Sequence, residues 1–249
     1  MDIRQLLHTY QPVSLAEMDE VALTNRIDTK YVFHRSMLPE VLANLSDAYA
    51  VLTIDGQQAH PYETLYFDKK DFGLYFDHHN QRGNRYKLRL RKYGNSAVQY
   101  MEMKRKTNTG RTVKSRTRTD SFSTQLTSEQ LRFFREKTGD PLMHWQFSNR
   151  NCFDRITLVS MNPPERMTLD LNITFEDERK KFMFEHLVIA EVKQGSKAPS
   201  AFIRLMRDRH IHPFSISKYC VGITLLHPEL KHNLFKRQQQ TLINLQNRA

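Results

Sequence analysis

Lys87, Arg89 and Arg91 recur at every second position of NRYKLRLRKYG, Asn84 to Gly94, with Tyr86, Leu88 and Leu90 between them. Successive side chains of a β-strand point to opposite faces, so the cations share one face and the apolar groups the other. The phasing repeats downstream. VQYMEMKRK carries Tyr100, Glu102, Lys104 and Lys106 in phase, and TVKSRTRTD carries Lys114, Arg116 and Arg118. Arginines so placed suit bidentate contact with phosphate oxygens, and lysines add point charge. The acids in phase with such neighbours, Glu102, Asp170 and Glu191, are isolated. A hard divalent cation bound beside phosphates needs such donors.

A single strand of this kind most simply turns its cations to water. The alternative is a barrel whose polar interior converges on an anion. Three successive strands with almost no acid favour the barrel. The 249-residue chain has a net charge of +11, yet Arg82 to Arg118 alone holds thirteen Lys or Arg against one acid, Glu102. The remainder is close to neutral, so a localised polyanion site is expected rather than a basic surface. Converging cations repel one another, a liability that function must justify.

Those strands need a scaffold. Hydrophobic residues make up 39% and charged residues 26%, a folded rather than disordered balance. No apolar run approaches the roughly 20 residues of a membrane span, and no signal peptide is read at the N-terminus. The two cysteines, Cys152 and Cys220, imply no disulfide framework, redox role or metal role. A cytosolic location is the default expectation. The closest of the eleven histidines, His78–His79 and His210/His212, lack zinc-site spacing and are expected in loops.

Ser14 and Glu17 fit a capping box for a helix from Leu15, Ser36 fits the N-cap of MLPEVLANLSDA, and Thr127 that of SEQLRFFREKT. Strands are expected in RIDTKYVFH, with Arg26, Asp28 and Lys30 in phase, and in AVLTID, ETLYFDK, DRITLVSM and FEHLVIAEVKQ. In RMTLDLNITFED, Met167, Leu169, Leu171, Ile173 and Phe175 form one face. Arg166, Thr168, Asp170, Asn172 and Thr174 form the other. After Pro199 the pattern turns helical, in SAFIRLMRDRHI, SISKYCVGITLL and an amphipathic C-terminal helix over about 232–248. This predicts one α+β domain over 1–249, with a core of about 20–226 and a large curved or closed antiparallel sheet.

The segments RIDTKYVF, YETLYFD, NRYKLRLRKYG, YMEMKRKTNTGRTVKSR, RMTLDLNITF, VIAEVKQ and SISKYCVG occur in the order seen in the VTC domain. The chain from Arg26 to Gly222 thus resembles the polyphosphate polymerase domain of the vacuolar transporter chaperone complex and its stand-alone bacterial relatives. These belong to the triphosphate tunnel metalloenzymes. The resemblance implies a closed antiparallel eight-stranded β tunnel with flanking helices. It implies catalytic roles for Lys30, Arg89, Arg91, Lys104 and Lys218, and phosphate binding by Lys114, Arg116, Arg150 and Arg166. It further implies a metal, Mn²⁺ or Mg²⁺, on Glu191, with Asp170 and Glu102 as supporting acids. Glu102 also suits a role in organising neighbouring lysines, and Asp170 an ion pair. Triphosphatases and cyclases of the superfamily open on Glu-x-Glu-x-Lys. Here Arg26-Ile27-Asp28-Thr29-Lys30 stands at that spacing, a departure that favours the VTC branch.

The activity so implied is transfer of the ATP γ-phosphate to a growing polyphosphate chain. A triphosphatase using the same tunnel is the alternative, followed by a tunnel that binds polyphosphate without turning it over. Nucleic acid is not an expected partner, since no RRM, helix-turn-helix or zinc-finger pattern accompanies the basic block. The resemblance brings no phosphate-sensing domain or membrane helices into this chain. It leaves room for a separate membrane-protein partner that would hold the protein at the inner face of a membrane.

Overall fold

Alternation in the sequence yields a sheet-rich molecule. The computed structural model describes residues 2–20, 26–94, 98–139, 144–196, 198 and 200–248. The chain begins with α1 (Ile3–Leu7), β1 (Pro12–Val13), α2 (Leu15–Glu20), β2 (Ile27–His34), α3 (Leu38–Leu45) and β3 (Ala50–Leu52). Next come β4 (Ala59–Asp68), α4 (Gly73–His79), β5 (Arg85–Tyr93), β6 (Gln99–Lys106), β7 (Thr112–Arg118) and α5 (Ser128–Thr138). Then follow β8 (Gln146–Met161), β9 (Pro164–Glu176), β10 (Lys181–Phe184) and β11 (Leu187–Gln194). The chain ends with α6 (Ala201–Asp208), α7 (Lys218–Leu226) and α8 (Lys236–Gln246).

Eight strands form one path, β2-β11-β9-β8-β4-β5-β6-β7, and every neighbouring pair on it is antiparallel. β10 adds to β9, β3 to β8, and β1 runs parallel to β3. The expected closed eight-stranded sheet is thereby corrected. The sheet has eleven strands, and its end strands β2 and β7 are not hydrogen-bonded to each other. Across the seam Lys114 lies within electrostatic reach of Arg26, Asp28 and Glu191: burial and then Arg26 lower its ammonium, while the two acids partly offset them.

The two faces of β5 show how the wall is built. Leu88 and Leu90 are fully buried and pack with Met101, Met103 and Phe134 beneath α5. Arg89 and Arg91 face the opposite way and are each only 9% exposed. A solvated cationic face is thus excluded for this strand, because both of its faces are covered. α1, α3 and α6 cover another outer region through Phe33, Leu42, Leu158, Leu169 and Phe202. On the inner side, α7 and α8 pack on Phe153, Phe175 and Ile189. Gly222 allows α7 to sit that close, since a Cβ there would lie 2.2 Å from Asn149 Nδ2.

The single apolar face expected for β9 is split. The β8–β9 register shifts between Cys152 and Asp154, and Asn172 adopts a left-handed φ of 52°, which asparagine tolerates. Its side chain donates to Asp154 Oδ2 at 2.7 Å and accepts from Arg35 at 2.6 Å. Met167, Leu169 and Leu171 therefore join the outer core, and Ile173 and Phe175 the inner one.

The capping boxes of α2 and α5 form as their residues predict. Ser36 does not cap α3. It lies in a 3-10 turn, Arg35–Met37, whose cap is the His34 side chain accepting from the Ser36 N–H. His78 and His79 are not in a loop but end α4, a helix the sequence did not reveal. The expected C-terminal helix resolves into a 3-10 turn, Asn233–Phe235, and α8. No helix among the described residues is long and apolar enough to cross a membrane.

Candidate phosphate-binding tunnel

The inner faces of β2, β11, β9, β8, β4, β5, β6 and β7 surround a cavity of ≈ 920 Å³. Thirteen Lys and Arg side chains line it against four carboxylates, those of Asp28, Glu102, Asp170 and Glu191. All four acids are held by cations in direct contact, Asp28 by Arg26 Nε at 3.0 Å. Glu191 accepts from Lys30 Nζ at 2.8 Å and from Lys193 Nζ at 2.9 Å. Asp170 takes both forks of Arg155, at 2.6 and 2.8 Å, and also pairs with Lys218. Glu102 accepts from Arg89 Nε at 2.5 Å and from the Tyr93 hydroxyl at 3.3 Å.

These pairings set the protonation states. Burial alone raises each carboxyl, but the neighbouring cations outweigh it. Arg89 and Arg91 push Glu102 down to about 2, and Arg155 and Lys218 push Asp170 down to about 2. Lys193 and Lys30 hold Glu191 well below the usual carboxylate range. All three acids are ionised at neutral pH.

The cations are in excess. Register aligns Lys87, Lys104 and Lys114 in one row across β5, β6 and β7. Among the described residues, neither Lys104 nor Lys114 has an ion pair. The charge of Arg89, then burial, then Lys114 drive Lys104 well below its ordinary value. Burial lowers Lys87, whose ammonium donates to Ser217 Oγ at 2.7 Å. Burial raises the Tyr66 hydroxyl, yet Arg89, Arg91 and Lys87 reverse the shift and lower it. A wall in this state is relieved by an anion, which restores the lysines and screens the arginines.

Of the residues singled out in the sequence, Lys30, Arg89, Arg91, Glu102, Lys104, Lys114, Arg116, Asp170, Glu191 and Lys218 converge on the cavity. Arg150 and Arg166 do not line it. Arg150 lies on the outer face of β8, where it pairs with Glu63 at 3.2 Å and Glu176 at 3.1 Å. Arg166 donates to the Met18 carbonyl at 2.6 Å beneath α2. Lys87, read in phase with Arg89 and Arg91, lines the cavity too, and so does Arg155, which was not singled out. Arg155 is the only cation of DRITLVSM and has the opposite parity to Arg150, a distinction available once β8 is read as one strand.

Among the described residues no three His, Cys, Asp or Glu side chains gather as a metal cluster. The donors fit a narrower case, a divalent ion that takes most of its oxygens from bound phosphates and one carboxylate from the protein. Glu191 suits that role best. It is held by two flexible lysines, whereas Asp170 is clamped by a guanidinium fork.

The family model of the VTC domain matches residues 25–227. The chain belongs to the VTC domain family. No curated protein matches it. Among solved structures, this VTC domain is similar to a candidate adenylate cyclase from Bacillus halodurans. The TM-score is 0.52 at 13% identity, over 78% of this chain and 96% of that one. It is also similar to an adenylyl cyclase candidate from Hippeastrum, described by a dominant triphosphatase activity. That match has a TM-score of 0.45 at 15% identity, over 83% and 100% of the two chains. At these identities the likeness is one of fold.

Proposed function

We propose that this VTC domain is a metal-dependent polyphosphate polymerase that transfers the ATP γ-phosphate to a growing polyphosphate chain inside the cavity. The observation that carries this reading is the wall of thirteen cations, against four carboxylates that are each already cation-bound. Only a polyanion balances such an interior. The wall gives phosphoryl transfer what it requires, positioning and charge stabilisation, without a protein nucleophile.

Arg89 and Arg91 would grip phosphate oxygens from β5, with Lys104, Lys114 and Arg116 on the adjoining strands. Lys30 and Lys218 would swing from Glu191 and Asp170 towards the ligand. Glu191 would hold the Mn²⁺ or Mg²⁺ ion, which when bound neutralises phosphate oxygens. Asp170 would keep Arg155 and Lys218 aimed inward, and Glu102 would do the same for Arg89. In the reaction the β–γ P–O bond breaks, its electron pair stays on ADP, and a terminal polyphosphate oxygen forms the new P–O bond. That acceptor oxygen is already anionic, so no general base is needed.

The test is incubation with ATP and Mn²⁺ or Mg²⁺, with and without a short polyphosphate primer, followed by resolution of ADP, free phosphate and polymer. ADP matched by polyphosphate is the expected result. ADP matched by free phosphate would make the protein a triphosphatase acting through the same wall. Absence of turnover with either metal would leave a binding tunnel only.

A further inference from the structure

One end of the cavity adds other chemistry to its cations, Arg85 and Lys106. There the wall is made by His78 at the end of α4, Gln81 just after it, and Leu234, Phe235 and Gln238 of the C-terminal segment. Leu234 is 52% exposed, so packing does not account for an apolar residue at this rim. The segment is fastened in place. The Tyr75 hydroxyl donates to the Lys231 carbonyl at 3.0 Å, and the Leu234 N–H to His79 Nε2 at 3.4 Å. The Phe235 ring meets His79 edge-on with centroids 5.5 Å apart. Burial, then the charges of Lys87, Arg85 and Lys106, hold His78 neutral, pushed down to about 2.

A mouth that sets apolar, aromatic and amide groups beside the cations Arg85 and Lys106, continuous with a phosphate wall, has the chemistry of a nucleoside site. Glutamine amides offer the donor and acceptor pair that matches an adenine edge. Lys87 and Ser217 line the adjoining wall and would meet the phosphate nearest the sugar. We infer that Leu234 and Gln238, with Gln81 and His78 opposite, form the subsite for the nucleoside of the donor nucleotide. Resting on the reading that ATP is that donor, it assigns nucleotide selection to residues beyond 227, outside the part of the chain that matches the VTC model.

Equilibrium binding of ATP, GTP and inorganic tripolyphosphate to the full chain tests this, with Leu234→Ala and Gln238→Ala singly and together. Leu234 is exposed, and the Gln238 side chain makes no hydrogen bond among the described residues, so both variants are expected to fold. Thermal unfolding checks that. The double variant should lose about tenfold in ATP affinity, narrow the ATP-to-GTP ratio, and keep its tripolyphosphate affinity. Equal losses for ATP and tripolyphosphate, or no loss for ATP, would overturn the subsite and leave the phosphate wall intact. Wild type that holds tripolyphosphate but not ATP would overturn it too. Wild type that holds neither would remove the polyphosphate reading with it.

Discussion

Lys30 and Glu191 stand directly opposite each other in the β2–β11 register and are joined at 2.8 Å, while Lys193 closes on the same carboxylate at 2.9 Å. One acid thus holds two ammonium groups, each on a flexible stem. A bound polyanion can draw off both lysines and free the carboxylate for a cation. Glu191→Gln removes that donor but keeps the shape. The Mn²⁺ concentration for half-maximal turnover should rise by at least about tenfold, the scale for weakening a metal shell. An unchanged metal titration would exclude the role.

Lys104 supplies a pH signature. It lies well below its ordinary value because of Arg89, burial and Lys114. A bound polyanion favours the charged form, so between the depressed and the usual lysine value binding takes up a proton. Tripolyphosphate affinity must then fall as pH rises through that window. Calorimetry in two buffers of different ionisation enthalpy measures the uptake, and Lys104→Met should reduce it.

The buried carboxylates have the opposite sign. Asp170 and Glu102 are pushed down to about 2 in the folded chain, from ordinary values of 3.8 and 4.5. Their stabilising effect is complete above the unfolded values and is lost as pH falls towards 2. Urea midpoints recorded from pH 7 to pH 2 should decline below about pH 4.5. Asp170→Asn should flatten that decline.

Two arginines five residues apart on β8 should behave differently. Arg155→Ala strips the fork from Asp170, a residue 2% exposed, and leaves only Lys218. The cost should be about 3 kcal/mol, with a loss of tripolyphosphate binding. Arg150→Ala breaks partly exposed pairs on the outer face and should cost below about 1 kcal/mol, with binding within about twofold of wild type. Chemical denaturation and a binding isotherm on both variants check the contrast.

Gly222→Ala would place a Cβ 2.2 Å from Asn149 Nδ2 and 2.9 Å from Phe175. The expected destabilisation is about 1–3 kcal/mol or more, as α7 is forced away from β8 and β9. Because α7 begins at Lys218, phosphate affinity should fall as well. A normal unfolding midpoint would show that the helix has room to shift.

Parity made much of this site legible. The alternation of β5, β6 and β7 placed Arg89, Arg91, Glu102, Lys104, Lys114 and Arg116 on one face, and the covered faces of β5 show that the first two point inward. Alternation has no means of marking a register shift, so the β9 face was read as continuous through Asn172. Arg150 and Arg166 came from motif likeness alone. Their placement depends on where β8 begins and on α2 lying over Arg166. α4 escaped because its N-cap, Phe72, has no side-chain acceptor and takes a left-handed φ of 56°; its first N–H groups are taken instead by Asp71 and by Asp68 at the end of β4, an unusual cap spacing. The seam between β2 and β7 brings together residues far apart in the chain, which strand patterns do not encode.

The left-handed turn at Asn172 works as a change of reading frame within a single strand. Before it, even-numbered residues face inward, and after it odd-numbered ones do. Thirteen residues can therefore lend Asp170 to the ionic lining and Phe175 to the apolar stopper behind it. The extra residue maintains this arrangement. Excising Asn172 would leave every neighbour on its present side, whereas a β-branched residue that refuses the turn would press Ile173 and Phe175 outward and Thr174 in. At this point the strand tolerates a gap better than a replacement.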